Sequence, residues 1–341
     1  MVSISEHAIQ ILSEECLIDS VSVRVGASVG ISLFPDDSDD SGSMLKNADF
    51  AMYQAKSKGK SCAQYYDDLM ARRFQIRTEN EHDLANAIAN NELKLVFQPK
   101  ISLSSHRVMG VEALLRWEHS YRGCVLPEEL IPIAEDAGLI ITIGDWVLKT
   151  ACEQLSVWHQ MGLNDLCISV NVSAQQFDTG CLFETVARVL QSAKFDPGYL
   201  DLELTESAMM ADVEQSVTKL LKLKELGLSI SIDDFGTGFS SLRYLEELPL
   251  DNLKIDPSFV RRLDASTPQY SLVSTIISMA EAFGLGTVAE GVKTEEQLQK
   301  VAALGCDCIQ GYIFSKPVEA ADLPAAILTI EQEMSQLRFA A

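Results

Sequence analysis

From residue 93 onward the chain alternates short apolar strand patterns with amphipathic helix patterns, and this alternation restricts the possible folds more than any other feature. The predicted strands are Leu93–Gln98, Val108–Arg116, Cys167–Val172, Leu200–Leu204, Leu228–Asp233, Asn252–Ile255, Gly286–Ala289 and Cys308–Tyr312. Helix patterns fall between most of them, as in Asp212–Leu226, which Gly227 closes. Eight strands with interposed helices over about 240 residues predict an α/β barrel of the TIM type.

The charge of the chain restricts its partners. It has 341 residues, of which 47% are hydrophobic, so it can bury a barrel core and a smaller additional unit. With 49 acidic and 27 basic residues, its formal net charge is −22. Long-range repulsion therefore disfavours nucleic acid polymers and anionic membranes as partners. An anionic small substrate would need metal ions or individual basic side chains at its site.

Nothing in the sequence indicates a membrane span or a secretory signal. No apolar run approaches the roughly 18 residues that a span requires, and no signal-peptide pattern opens the chain. The 8 cysteines show no paired zinc-ligand spacing, and we expect them to be reduced and mostly buried. We therefore expect this segment to be cytoplasmic, either alone or as the cytoplasmic part of a larger sensor protein.

Leu228–Gly238 runs from a buried strand pattern into two adjacent carboxylates and a glycine-rich turn. Asp233 and Asp234 repel each other there, so a divalent cation is the natural compensating partner. Taken alone, the pattern fits a solvated turn better, because Asp and Gly dominate turns for local reasons. The choice between the two interpretations depends on whether the other predicted strands also end in acids.

Polar side chains do recur near the ends of the other predicted strands, and Lys254 is the one basic residue that we place among the acids. The set is Glu112, Asn171, Glu203, Glu206, Asp233, Asp234, Lys254, Glu290 and Gln310. Carboxyl ends of parallel barrel strands converge on one face, where the catalytic loops meet. Acids sharing a low-dielectric site destabilise one another unless cations compensate them. Two divalent cations about 3.5–4 Å apart, bridged by Asp233, would satisfy this geometry.

Residues 1–65 are predicted to form a small α+β unit, with a strand pair around Val21–Phe34 and an amphipathic helix near Ser43–Lys58. The runs Val29–Pro35 and Asn47–Gly59 resemble the carboxyl-terminal half of a GGDEF (diguanylate cyclase) domain. The signature Gly-Gly-Asp/Glu-Glu-Phe of that family does not occur in the chain. The resemblance therefore implies a partial domain without cyclase activity.

A helical pattern over residues 66–91 predicts a connector to the barrel, although an ordinary surface helix of the next domain explains it equally well. From residue 80 to 335 the chain resembles the EAL family of cyclic di-GMP phosphodiesterases. The matching motifs, in order, are Phe97-Gln98-Pro99, Glu112-Ala113-Leu114, Asn171-Val-Ser, Glu203-Leu-Thr-Glu206, Asp233-Asp-Phe-Gly-Thr-Gly, Leu253-Lys254-Ile-Asp256, Ala289-Glu290-Gly-Val and Gln310-Gly-Tyr-Ile-Phe-Ser-Lys-Pro317. The resemblance implies a modified TIM (β/α)8 barrel with an antiparallel first strand, which fits the short link Ser102–Arg107.

The EAL resemblance also implies a two-metal site. The ligands of one cation would be Glu112, Asn171, Glu203 and Asp233, and those of the second would be Asp233 and Asp234. We expect Mg²⁺ or Mn²⁺ as the cofactor. Ca²⁺ is expected to inhibit, because the larger ion holds its ligands in a looser geometry.

The same resemblance implies roles for the substrate-handling residues. The expected catalytic residues are Glu112, Asp233, Lys254 and Glu290. Lys254 would hold or polarise the attacking water, and Glu290 and Gln310 would act through metal-bound waters or direct contact. Gln98, Arg116 and Gln310 are the expected substrate contacts, and Glu206 would brace the loop after Asp234. Lys293 stands where the family commonly has an acid, but it lies beyond the ligand position.

The implied function is metal-dependent hydrolysis of cyclic di-GMP to 5′-phosphoguanylyl-(3′-5′)-guanosine (pGpG) in bacterial signalling, by a protein that forms a homodimer. Two alternatives stay open. One is a catalytically idle receptor for cyclic di-GMP, and the other is an interaction scaffold that has lost ligand binding. Either alternative predicts that metal ligands have been lost, whereas the whole set is present here.

Overall fold

The computed structural model describes residues 2–13, 16–18, 21–23, 26–57, 61–68, 80–237, 242–263 and 268–336. The chain forms two compact units, Met1–Leu84 and Ala85–Ala341. This division is coarser than the domain borders inferred from the sequence, at residues 65, 80, 91 and 335, which stay predictions.

The first unit contains α1 (Val2–Leu12), β1 (Cys16–Ile18), β2 (Val21–Val23), β3 (Val29–Ile31), α2 (Ser41–Ser57) and β4 (Ala63–Tyr65). Strand β2 pairs antiparallel with β1, whereas β3 pairs parallel with β4. The two strands predicted around residues 21–34 are therefore present as β2 and β3, but in the described part of the chain they pair with β1 and β4 and not with each other. Helix α2 lies between β3 and β4 in the chain and returns it to the end of the sheet at which β3 begins. Parallel pairing of β3 with β4 requires such a crossover.

Helix α2 begins two residues before the predicted start. The backbone N–H groups of Gly42 and Ser43 donate to Asp40 Oδ1 at 2.8 and 2.9 Å, which satisfies donors that the first turn leaves unpaired. Of the predicted connector, residues 80–87 form helix α3, and residues 69–79 lie outside the described residues.

Nine strands are described in the second unit: β5 (Leu93–Ser102), β6 (Val108–His119), β7 (Gly123–Val125), β8 (Cys167–Val172), β9 (Leu200–Thr205), β10 (Ser229–Phe235), β11 (Asn252–Ile255), β12 (Gly286–Ala289) and β13 (Cys308–Gln310). All except β7 close into a ring, because β5 pairs with both β13 and β6. Both pairings of β5 are antiparallel, and the other neighbours within the ring are parallel. The eight predicted strands and the modified TIM barrel are confirmed, whereas β7, which extends β6 outside the ring, was not predicted.

Helices follow most of the barrel strands. They are α4 (Pro127–Asp136), α5 (Ile140–Gln160), α6 (Ala174–Asp178), α7 (Leu182–Ser192), α8 (Glu206–Met210), α9 (Val213–Lys224), α10 (Leu242–Glu247), α11 (Pro257–Arg261), α12 (Pro268–Phe283), α13 (Glu295–Ala303) and α14 (Leu323–Gln336). Local sequence sets their starts, as where Asp212 Oδ1 accepts from Gln215 N at 3.1 Å to cap α9. Among the described residues, no helix is both long and apolar enough to cross a lipid bilayer.

The apolar core of the second unit includes the contact between the barrel strands and the helices. Phe97 on β5 packs edge-to-face on Trp158 of α5, with ring centroids 4.8 Å apart, and both side chains are buried. Side chains alternate across a strand, so the neighbour Gln98 points to the opposite side, into the barrel. Each large apolar side chain buried in this way contributes about 1.5–3 kcal/mol. The outer layer therefore stabilises the barrel and leaves its interior free to carry polar groups.

The burial of the cysteine side chains differs from the expectation, whereas their state as free thiols agrees with it. The seven whose side chains the structure describes are free thiols, but only Cys152 and Cys306 among them are buried. Cys124 and Cys181 are exposed, because the first lies on the outer strand β7 and the second precedes the surface helix α7. The expectation of mostly buried cysteines is therefore wrong for the described part of the chain.

Candidate active site

The carboxyl ends of the parallel barrel strands bring the predicted residues to one end of the barrel. Neighbouring strands are in register there, with Asn171 on β8 opposite Glu203 on β9. The antiparallel β5 reaches the same level from the other direction, so Gln98 lies opposite Glu112. A cleft of about 510 Å³ opens at this end, and its lining includes Gln98, Glu112, Arg116, Asp233, Lys254, Glu290 and Gln310.

Lys254 lies at the centre of the acids. Its Nζ is 2.6 Å from Glu203 Oε2, 2.7 Å from Glu290 Oε1, 3.1 Å from Asp233 Oδ1 and 3.6 Å from Glu112 Oε2. Burial opposes the charged form of this lysine, but the surrounding carboxylates outweigh it and raise its pKa well above the usual value. Lys254 is therefore a buried ammonium among four acids, and these acids favour its charged form.

A chain of amides holds Glu112 from the side. Asn171 Nδ2 donates to Glu112 Oε1 at 2.6 Å, and Gln310 Nε2 donates to Glu112 Oε2 at 2.6 Å. Gln310 Nε2 also donates to Gln98 Oε1 at 3.1 Å, while Gln98 Nε2 donates to Ser315 O at 3.4 Å. Gln310 Oε1 is buried without a hydrogen-bond partner among the described residues. An unpaired buried acceptor is costly, so this oxygen favours a donor or cation that binds in the cleft.

The two adjacent acids of β10 both reach the site because the strand is irregular there. In a regular strand, neighbouring side chains point to opposite faces. The pairing of β10 with β11 shifts register between Ile232 and Phe235, and Asp234 has a left-handed φ of 53°. As a result, one carboxylate oxygen from each of Asp233, Asp234 and Glu290 lies within 4.8 Å of the others.

Crowding of carboxylates raises the pKa of several of these acids. Burial, with neighbouring acids, raises the pKa of Glu290 to about 8 and that of Asp234 to about 6. The same causes also raise the pKa of Glu112. A divalent cation would relieve this repulsion. The donor set consists of carboxylate and amide oxygens, the ligands that Mg²⁺ and Mn²⁺ prefer. The residues present therefore fit the expected metal centre.

Glu203 is held differently from the other acids. Both of its oxygens are bound by lysines, Oε1 by Lys100 and Oε2 by Lys254. Burial favours the protonated form of Glu203, but the two ammonium groups outweigh it and lower the pKa to about 2. Lys254 is therefore not the only basic residue among the acids, and that expectation is wrong. Lys100 lies two residues after Gln98 on β5, so strand alternation alone would have directed it into the barrel.

Two further predicted residues lie at the edge of the site. Glu206 Oε2 accepts from the backbone N–H of Gly236 at 3.0 Å, which ties the first residue of α8 to the turn that follows Asp234. Arg116 Nη1 donates to the carbonyl oxygen of Leu115 at 2.7 Å, and its side chain lines the cleft. Tyr312 also lines the cleft but was not predicted from the sequence, and Lys293 Nζ lies over its ring, 5.4 Å from the centroid.

Comparison with known families agrees with this geometry. The family model of the EAL domain matches residues 81–317. The chain belongs to the EAL domain family. A second family model, described as the diguanylate cyclase GGDEF domain, matches residues 1–62. Both resemblances inferred from the sequence are thereby confirmed.

Relatives of this EAL protein include two from Pseudomonas aeruginosa. The chain is 39% identical over 325 residues to the bifunctional diguanylate cyclase/cyclic di-GMP phosphodiesterase MucR, covering 95% of this chain and 47% of the relative. It is 38% identical over 320 residues to the cyclic di-GMP phosphodiesterase NbdA, covering 94% of this chain and 41% of the relative. This chain therefore spans less than half the length of either relative.

Two solved structures of EAL proteins have a similar fold. The PaMucR phosphodiesterase in complex with c-di-GMP is 42% identical, with a TM-score of 0.70, and the match covers 72% of this chain and 99% of that one. The EAL enzyme Bd1971 bound to cAMP and cyclic di-GMP is 31% identical, with a TM-score of 0.72, and the match covers 86% of this chain and 77% of that one.

Proposed function

We propose that this EAL domain hydrolyses cyclic di-GMP to pGpG with two Mg²⁺ or Mn²⁺ ions. One observation carries the proposal: four of the predicted acids, Glu112, Glu203, Asp233 and Glu290, surround Lys254 at a cleft that also presents Gln98 and Arg116. The similarity to MucR and NbdA, which are named as cyclic di-GMP phosphodiesterases, supports the same substrate. A receptor or scaffold would not need to keep this set of oxygen ligands.

In this proposal the acids hold the cations. The ligands of the first would be Glu112, Asn171, Glu203 and Asp233, and those of the second would be Asp233 and Asp234. Bound cations of this kind neutralise phosphate charge and make water acidic enough to ionise near neutral pH. Glu206 keeps the turn after Asp234 in place through its bond to the N–H of Gly236.

The remaining residues would handle water and substrate. Lys254 has three N–H donors, and one of them would turn from a carboxylate to the attacking water while Glu290, 2.7 Å away, keeps the ammonium in position. Arg116 uses one N–H on Leu115 and has others left for a phosphate oxygen. Gln98 and Gln310 present amide groups that suit the polar edge of guanine.

Product analysis tests the function. The purified protein is incubated with cyclic di-GMP and either Mg²⁺ or Mn²⁺, and the nucleotides are separated by chromatography. We expect pGpG, with no turnover in chelator and inhibition by Ca²⁺. Intact cyclic di-GMP after long incubation with both metals would contradict the proposal and favour the receptor. The homodimer, the cytoplasmic location and the role in bacterial signalling are parts of the same proposal and stay predictions.

A further inference from the structure

A second polar layer lies one level below the candidate site, inside the barrel. Its members on the parallel strands each precede a site residue by two positions: Ser169 before Asn171, Asp201 before Glu203, Ser231 before Asp233 and Asn252 before Lys254. Side chains repeat with a period of two along a strand, so these four enter the barrel beneath the site. Interiors of TIM barrels are usually filled by branched apolar side chains, so a polar layer here requires a reason.

This layer is a connected hydrogen-bond network around Asp201. Ser231 Oγ donates to Asp201 Oδ1 at 2.8 Å, and Ser169 Oγ donates to Asp201 Oδ2 at 2.8 Å. Asn252 Nδ2 donates to Ser231 Oγ at 3.2 Å and extends the network to β11. Asp201, Ser169 and Ser231 are buried, so the network gives each of them a partner that water does not provide.

Lys100 joins this layer to the site above it. It belongs to the antiparallel β5, on which the residue two places after Gln98 lies deeper in the barrel. Its Nζ donates to Ser169 Oγ at 2.6 Å and lies 3.9 Å from Asp201 Oδ2. The same ammonium also binds Glu203 Oε1. The layer therefore holds the ammonium group of Lys100 directly under Glu203.

The contacts of Glu203 give Lys100 a specific consequence. The Glu203 side chain has no exposed surface, and Lys254 binds its Oε2 at 2.6 Å while Lys100 binds its Oε1. We propose that Lys100 is a positioning residue that holds Glu203 Oε1 from below, so that Oε2, which also accepts from Lys254, is the oxygen left for the cation. This inference rests on the proposed phosphodiesterase function, because it concerns a ligand of the same metal centre.

Mn²⁺ affinity tests the inference without depending on turnover. The dissociation constant of Mn²⁺ is measured by calorimetric titration, well below the melting temperature, for wild type, Lys100→Met, Lys100→Arg and Lys224→Met. Lys224 is the matched control, because it also pairs with a carboxylate, Asp251, at 2.7 Å, but belongs to α9 outside the barrel interior. Lys100→Met should weaken Mn²⁺ binding by about 10- to 100-fold, as loss of a residue that orients a metal ligand does. Lys100→Arg should recover part of that loss, and Lys224→Met should bind Mn²⁺ as wild type does.

A purely structural role for Lys100 gives a different result. It would lower the melting temperature of Lys100→Met but leave its Mn²⁺ dissociation constant within about twofold of wild type, and that outcome overturns the inference. If Lys100→Met does not fold, Ser169→Ala replaces it, because this change removes an acceptor that fixes Lys100 Nζ at 2.6 Å. Unchanged Mn²⁺ affinity in Ser169→Ala then overturns the inference. Wild type that binds no Mn²⁺ would contradict the proposed function itself, so the two failures are distinguishable.

Discussion

The ammonium of Lys254 lies 2.7 Å from Glu290 Oε1, and only 1% of the lysine side chain is exposed. The same ammonium also contacts Glu203 and Asp233, so one cation compensates several acids that would otherwise repel one another. Bound divalent cations would take over part of this compensation. Metal binding, charge balance and the position of Lys254 are therefore linked in this site.

Metal binding should stabilise the fold through Asp233. A cation that binds only the folded state stabilises it by about 2.7 kcal/mol at 100 times its dissociation constant. For a chain of this size the melting temperature should rise by roughly 2 °C or more. Asp233→Ala should lose most of this rise, and it should be more stable than wild type in chelator because repulsion among the acids is relieved. Thermal melts in chelator and in millimolar Mg²⁺ or Mn²⁺ check this, and equal shifts in the two proteins would count against the site.

The stability of the metal-free protein should depend on pH through Glu290. Burial and neighbouring acids raise its pKa from 4.5 to about 8 in the folded state, so the folded state holds a proton that the unfolded chain releases. This group's contribution to the free energy of unfolding is therefore retained below about pH 4.5 and lost as the pH rises toward 8. The free energy of unfolding, measured with urea in chelator between these pH values, should fall less steeply with rising pH for Glu290→Gln than for wild type. Parallel profiles for the two proteins would show that Glu290 is not protonated in this way.

Glu206 should matter through the turn that follows Asp234. Its Oε2 accepts from Gly236 N at 3.0 Å, and Glu206→Ala leaves that N–H without its partner, which costs about 1–3 kcal/mol when the group stays buried. We expect a higher metal concentration for half-maximal activity in Glu206→Ala. Glu206→Gln keeps an acceptor oxygen and serves as the control. Wild-type metal dependence in Glu206→Ala would contradict the bracing role.

The chain should make no cyclic di-GMP from GTP. The GGDEF family model matches residues 1–62, but the sequence contains no Gly-Gly-Asp/Glu-Glu-Phe segment that could hold the triphosphate and its metal. Incubation with GTP and Mg²⁺, followed by chromatography, checks this. Ca²⁺ is included because we expect it to inhibit hydrolysis of any product at the EAL site. Cyclic di-GMP under these conditions would show that the expectation is wrong.

Much of the barrel was predictable because each ring strand has its own apolar pattern and a site residue within it or directly after it. Strand β7 was not, because three residues between a turn and helix α4 carry no periodic signal. The antiparallel direction of β5 followed from the family resemblance and from the short link to β6. The partners of β2 and β3 could not be predicted, because short strands of similar composition do not specify which neighbour they pair with.

For the site, the sequence predicted which residues meet but not how they are bound to one another. The left-handed Asp234, which turns two successive carboxylates toward one cleft, depends on the shifted pairing of β10 with β11. Lys100 stands between Pro99 and Ile101 in a strand pattern, and its place beneath Glu203 depends on the level at which β5 enters the barrel. Such features arise from strand register, which local sequence does not encode.

Comparison of wild type with Lys254→Met tests whether Lys254 acts in the hydrolysis of cyclic di-GMP. Hydrolysis of cyclic di-GMP is measured at saturating Mn²⁺, and binding is measured separately in Ca²⁺, with Lys224→Met as the control for loss of a lysine elsewhere. Wild type and Lys224→Met should produce pGpG, whereas Lys254→Met should still bind cyclic di-GMP but hydrolyse it about 10²–10⁴-fold more slowly. Binding without hydrolysis by wild type, or equal rates in wild type and Lys254→Met, would contradict the account.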